Sequence, residues 1–232
     1  MQCRSSFICT VCWYVFYTNY VNITGGKSMK NFDFWIRRIH SLSGVIALGA
    51  FLLEHIFTVS TVMGGPANFD KSVAALAAMP FLVPIEIIAI GLPIAFHGIL
   101  GVVYALKAKN NPLRYGYWNN WMFYLQRITA YIAFIFIIWH VWTLRIVGKA
   151  MGGHLIGYDF MHKVLSDPLT FGFYVIGLLS SVFHFTNGLF GFSITWGIVS
   201  GPRGQRVVSV ATLALFVLIS SVGLTALTHF VK

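Results

Sequence analysis

Five apolar runs, near residues 39–62, 81–106, 122–146, 169–194 and 207–230, decide what this chain can fold into. Each exceeds the ~20 residues that a helix needs to cross about 30 Å of hydrocarbon. Composition agrees about the solvent. Hydrophobic residues make up 57% of the chain and charged residues 9%, where a water-soluble domain carries about 25%. Period-two alternation is absent, which argues against a β-barrel. The links "GGPANFDK", "KAKNNPLRYG" and "SGPRGQR" are short and built from turn residues, so they leave no room for a second domain. The expected architecture is all-α, an integral membrane bundle of five transmembrane helices.

Lys and Arg set the expected orientation. Lys30, Arg37, Arg38, Lys107, Lys109, Arg114, Arg127, Arg203 and Arg206 gather at one side, against Lys71, Arg145, Lys149, Lys163 and Lys232 at the other. Nine against five favours a cytoplasmic N-terminus. The net charge of +10 suits anionic lipid or an acidic partner surface and does not imply nucleic acid.

Residues 1–28 stand apart from 29–232. They hold all three cysteines, and Cys9 and Cys12 have redox-pair spacing without a second pair or a βαβ pattern nearby. A signal-like or extra membrane stretch is one alternative. The favoured expectation is a mis-assigned start. Gly25-Gly26 then reads as a translated ribosome-binding site, with Met29 as the true first residue. A peptide from residues 4–27 in the mature protein would rule that out.

The chemistry lies in the histidines. His55, His97, His140 and His184 fall one in each of the first four runs. An imidazole in hydrocarbon must satisfy a donor and an acceptor or cost roughly 2–7 kcal/mol. At 1.5 Å per residue, His55 and His140 share one depth, and His97 and His184 share another ~10–15 Å away. Two same-depth pairs on a four-helix core point to two bis-histidine b haems. Gly98, Gly101, Gly188 and Gly191 would let a macrocycle approach. The competing reading is a haem-free scaffold whose histidines only join helices. Zinc fits poorly, because the pairs are too far apart for four-ligand closure. His40, at the inner end of the first run, suits a propionate, quinone or interface role; His154, His162 and His229 are read as structural. Trp118 and Trp121 are read as an interfacial aromatic belt.

At these residues the sequence also resembles a known family. "FWIRRIHSLSGVIALGAFLLEH", "AKNNPLRYGYWNNWMFYLQRITAYIAFIFIIWHVW" and "SSVFHFTNGLFGFSITWGI" resemble the succinate dehydrogenase cytochrome b558 subunits of Gram-positive bacteria, over about residues 31–231. That family in turn resembles the dihaem anchors of some fumarate reductases. The cytochrome b of bc-type complexes fits less well, since it takes two ligands from each of two helices.

The resemblance implies a plasma-membrane complex of three subunits. A flavoprotein oxidises succinate, an iron–sulfur protein relays electrons, and this subunit anchors both and passes electrons to menaquinone. The dehydrogenase chemistry belongs to the flavoprotein. The resemblance assigns His55 with His140 to the outer haem and His97 with His184 to the inner one, the same pairing that depth gives. Running as a quinol-oxidising fumarate reductase is the alternative direction.

Two membrane carboxylates remain. Membrane carboxylates default to function, because charging one costs about 2.5–3.5 kcal/mol or more, and quinone reduction takes up protons. Glu86 resembles the acidic residue of the fumarate reductases' quinol site and is the candidate catalytic group, with a neutral structural hydrogen-bonder as the plain alternative. Glu54, beside His55, is the weaker choice and is expected to meet a loop cation. Arg37, Arg38 and Arg127 are candidate partners for haem propionates or plain positive-inside residues.

Overall fold

The computed structural model describes residues 27–147 and 156–232, with only the backbone at 27–31. Cys3, Cys9, Cys12, Gly25, Gly26, Lys149 and His154 therefore lie outside the described residues. Of the described residues, those up to Ile39 belong to one compact unit and those from His40 to another. In the first, Arg37 pairs with Asp33 at 2.8 Å one helical turn away, and the Arg38 guanidinium lies over the Phe34 ring.

Among the described residues there are helices and no strands. Five helices are long and apolar enough to cross a membrane: Phe32–Gly64, Leu82–Lys107, Trp118–Val147, Pro168–Thr195 and Pro202–His229. The shortest has 26 residues and extends about 39 Å. These are the five expected runs; the second keeps its expected length of 26 residues, and the other four extend beyond theirs where polar ends continue the helix. Side chains such as Leu106, Ile88 and Leu218 stay exposed, as a lipid-facing surface requires.

The links explain where helices start. Gly65 and Gly201 take φ of +102° and +80°, and each is followed by a proline at the first helical position. Glycine alone turns that corner without strain, and proline gives up an N–H that has no helical partner there. The fourth span is capped differently. Asp167 accepts from the Thr170 N–H at 2.8 Å, followed by Pro168. Those bonds hold the Asp167 carboxyl below the usual carboxylate range.

Three spans contain a π-helical turn that sequence patterning does not reveal: Ser43–Leu48, Glu86–Gly91 and Trp142–Val147. Each has a local cause. Pro93 has no N–H and its ring crowds the carbonyl four residues back, at Ala89, inside the second turn. Ser43 donates to the His40 carbonyl at 2.8 Å, and Thr143 to that of Trp139 at 2.8 Å. Such back-bonding competes with the helical ladder and bends it.

The best-buried apolar cluster sits at the C-terminal end of the bundle. It joins Val62, Phe69, Leu144, Met161, Leu165, Tyr174, Leu227 and Phe230. Two short helices between spans, Pro66–Ala77 and Tyr158–Leu165, cover that end. Asp70 accepts from the Tyr158 N–H at 2.7 Å, and the His162 ring donates to the Phe230 carbonyl at 2.6 Å. His229 bonds the Thr225 carbonyl of its own helix. Both described loop and end histidines thus serve the local fold.

Candidate functional site

The fold brings His55 to His140, with ring centres 5.9 Å apart, and His97 to His184, with ring centres 6.1 Å apart. In both pairs the rings are near perpendicular, at 82° and 79°. Two imidazoles bonded at about 2 Å to opposite faces of one iron have ring centres ~6 Å apart. No group of three or more His, Cys, Asp or Glu able to hold a metal occurs among the described residues. A metal that needs four protein ligands therefore has no site there. An iron porphyrin brings four nitrogens of its own and asks the protein for two, which each pair could supply.

The N-terminal-end pair is clasped by the main chain. His97 Nδ1 lies 2.9 Å from the His40 carbonyl oxygen, and His40 Nε2 lies 3.1 Å from the His97 carbonyl oxygen. His184 Nδ1 lies 3.1 Å from the Gln126 carbonyl oxygen, and the Gln126 amide donates back to the His184 carbonyl at 2.9 Å. A carbonyl can only accept, so a proton on Nδ1 satisfies this contact in both rings and leaves the lone pair on Nε2; at His184 the Gln126 amide nitrogen also lies 3.1 Å from Nδ1. Gln126 is itself held, because Asn187 donates to its Oε1 at 2.7 Å. Gly44, which patterning did not single out, gives His97 its space; any Cβ there would strike that ring. The glycines expected to admit a macrocycle have the following neighbours. Gly98 faces Phe134, Gly101 faces His40, Gly188 faces Gln126, and Gly191 faces open space.

The C-terminal-end pair is held more loosely. His140 Nδ1 lies 3.3 Å from the buried Tyr174 hydroxyl, which can donate or accept. His55 stacks on Phe51 at 5.5 Å. Glu54, next to it, accepts from Thr58 at 2.7 Å and meets no cation among the described residues. Glu86 is joined to Arg145 on the third span, with Nη2 2.5 Å from Oε2.

Arg127 reaches the 107–117 link. Its Nη1 donates to Asn110 Oδ1 at 2.7 Å and to the Phe123 carbonyl at 3.1 Å, and its guanidinium covers the Phe123 ring. Sequence reasoning missed Gln126, Asn187, Tyr174 and Arg145 as neighbours of the site. A polar Gln inside an apolar run, in "YLQRIT", was the available signal for the first.

No family model matches the chain. A curated relative does: the succinate dehydrogenase cytochrome b558 subunit of Bacillus subtilis (strain 168), 44% identical over 201 residues, which are 87% of this chain and 98% of the relative. With such identity along nearly all of that relative, the chain belongs to the succinate dehydrogenase cytochrome b558 subunit family.

Proposed function

We propose that this subunit anchors succinate dehydrogenase to the bacterial plasma membrane and carries electrons from the iron–sulfur subunit to menaquinone. Two b haems are held for this purpose, one by His97 and His184 and one by His55 and His140. The observation that carries the reading is the clasp on the N-terminal-end pair. Both rings commit Nδ1 to a carbonyl and keep Nε2 available, at a spacing that suits one iron between them. A haem held this way supplies a reversible one-electron centre.

The chain's own groups do the rest. The Tyr174 hydroxyl meets His140 at Nδ1 and so leaves that ring's Nε2 for the iron. Phe51, stacked on His55, covers one face of that ring. Arg127 bonds through Nη1 alone among the described residues, so it keeps donors for a propionate. Lys107, Lys109 and Arg114 at the second link offer positive charge to the iron–sulfur subunit, which sits with the flavoprotein on the cytoplasmic face. Overall, succinate gives up two electrons and two protons and menaquinone takes up two of each. Glu86 carries protons to the quinone at the C-terminal end.

The test is a reduced-minus-oxidised spectrum of the purified complex after succinate addition. Two b-type α-bands that bleach on adding a menaquinone analogue are expected. A chain without an α-band would leave only the scaffold reading.

A further inference from the structure

Glu86 and Arg145 form the one ion pair between different helices among the described residues. Each sits in a π turn: Glu86 opens Glu86–Gly91 on the second span, and Arg145 lies in Trp142–Val147 on the third. The extra residue of a π turn redirects side chains, which is why such turns gather at functional sites. Arg145 follows His140 by five residues, or about 7.5 Å of rise.

A guanidinium has five N–H groups. Arg145 gives one to Glu86, and that is its only hydrogen bond among the described residues. The two side chains remain 40% and 34% exposed. A pair that served only to join helices would be replaceable by apolar packing, and its leftover donors would have no use. A ligand arriving from the bilayer with uncharged acceptor oxygens would use them. A lipid phosphate also accepts N–H bonds, but the Glu86 carboxylate beside the guanidinium would repel it. A quinone carbonyl meets no such repulsion.

We propose that Arg145 seats the quinone ring. Its remaining N–H groups bond one quinone oxygen while Nη2 holds Glu86 beside that oxygen. Arg145 itself neither gains nor loses a proton; the two electrons come from succinate, and the two protons that make the quinol arrive by way of Glu86. This inference rests on the reading that menaquinone is reduced on this chain.

The test uses the purified complex carrying R145Q or R145K, with a water-soluble naphthoquinone as acceptor. R145Q raises the KM for the naphthoquinone about tenfold or more, the usual worth of a hydrogen bond from a charged donor. R145K recovers part of the loss, and succinate still reduces both haems. A KM within about twofold of the unmodified complex, with both haems intact, would make Arg145 a helix staple or a phosphate ligand and overturn the proposal. Should R145Q not assemble, a photoreactive naphthoquinone applied to the unmodified complex decides. Adducts within residues 142–147 support it, and adducts confined elsewhere overturn it. An unmodified complex that passes no electrons to the naphthoquinone defeats the underlying reading instead.

Discussion

At the N-terminal end, His97 and His184 each hand a ring proton to a main-chain carbonyl and receive a bond back at their own carbonyl. At the C-terminal end, the His140 ring's hydrogen-bond partner among the described residues is a phenol hydroxyl, and His55 rests on a phenyl ring. Main-chain carbonyls in helices do not swing, so the first arrangement fixes tautomer and ring plane. A hydroxyl rotates and serves either tautomer, so the second leaves both adjustable. The rigid end suits a relay that only receives and passes electrons. The adjustable end lies toward the Glu86–Arg145 pair, the proposed place for a quinone to enter, take protons and leave.

The comparison breaks most visibly by removing ligands. His97→Ala or His184→Ala should abolish one α-band species and spare much of the other, and His55→Ala or His140→Ala should do the converse. Optical redox titration checks this, and loss of the same species in His55→Ala and His97→Ala would dissolve the two-ended picture. Next in size, Glu86→Gln should cut menaquinone-analogue reduction by about 10²-fold or more, the range for a lost acid–base group. Both haems should remain reducible by succinate. Unchanged turnover would move proton delivery elsewhere.

The two clasps themselves can be compared by conservative changes. Gln126→Leu removes the amide bonds to His184 and Asn187 and should shift the potential and band of the His97–His184 species alone. Outer partners of metal ligands are commonly worth about 10–100-fold in affinity, so partial loss of that haem is expected as well. Tyr174→Phe should move only the other species, and by less. Equal shifts in both would mean the ends are not separately held.

The smallest effect is in intact cells. If the N-terminal end faces the cytoplasm, electrons reaching the C-terminal end move toward the positive side. A full charge crossing is worth about 2.3 kcal/mol per 100 mV, and a ~10–15 Å path covers a third to a half of the ~30 Å core. An uncoupler should therefore slow succinate-to-menaquinone transfer a few-fold. Indifference to the uncoupler would place quinone reduction at the N-terminal end.

Depth and membership were readable from the chain alone. Five apolar runs gave five spans, because hydrocarbon thickness sets a length that can be counted. The four histidines sorted into two layers, because rise along a helix is nearly constant at 1.5 Å per residue. The family was recognisable from the four histidines, the "RRIH" start and "FHFTNG". Rotation about each helix axis was not readable. It depends on how spans cross and on the π turns, which shift the facing of every residue after them.

For that reason only the tertiary structure joined Gln126 to His184 across 58 residues, Glu86 to Arg145 across 59, and Tyr174 to His140 across 34. Arg145 stood in the sequence as one more outer cation, and Gln126 as a neighbour of Arg127. Their partners lie on other helices, and no local pattern records which way a side chain turns once those helices pack. The sequence by itself determined the solvent, the span count and the depth of each imidazole; packing decided which groups hold the imidazoles and which cation meets the membrane carboxylate.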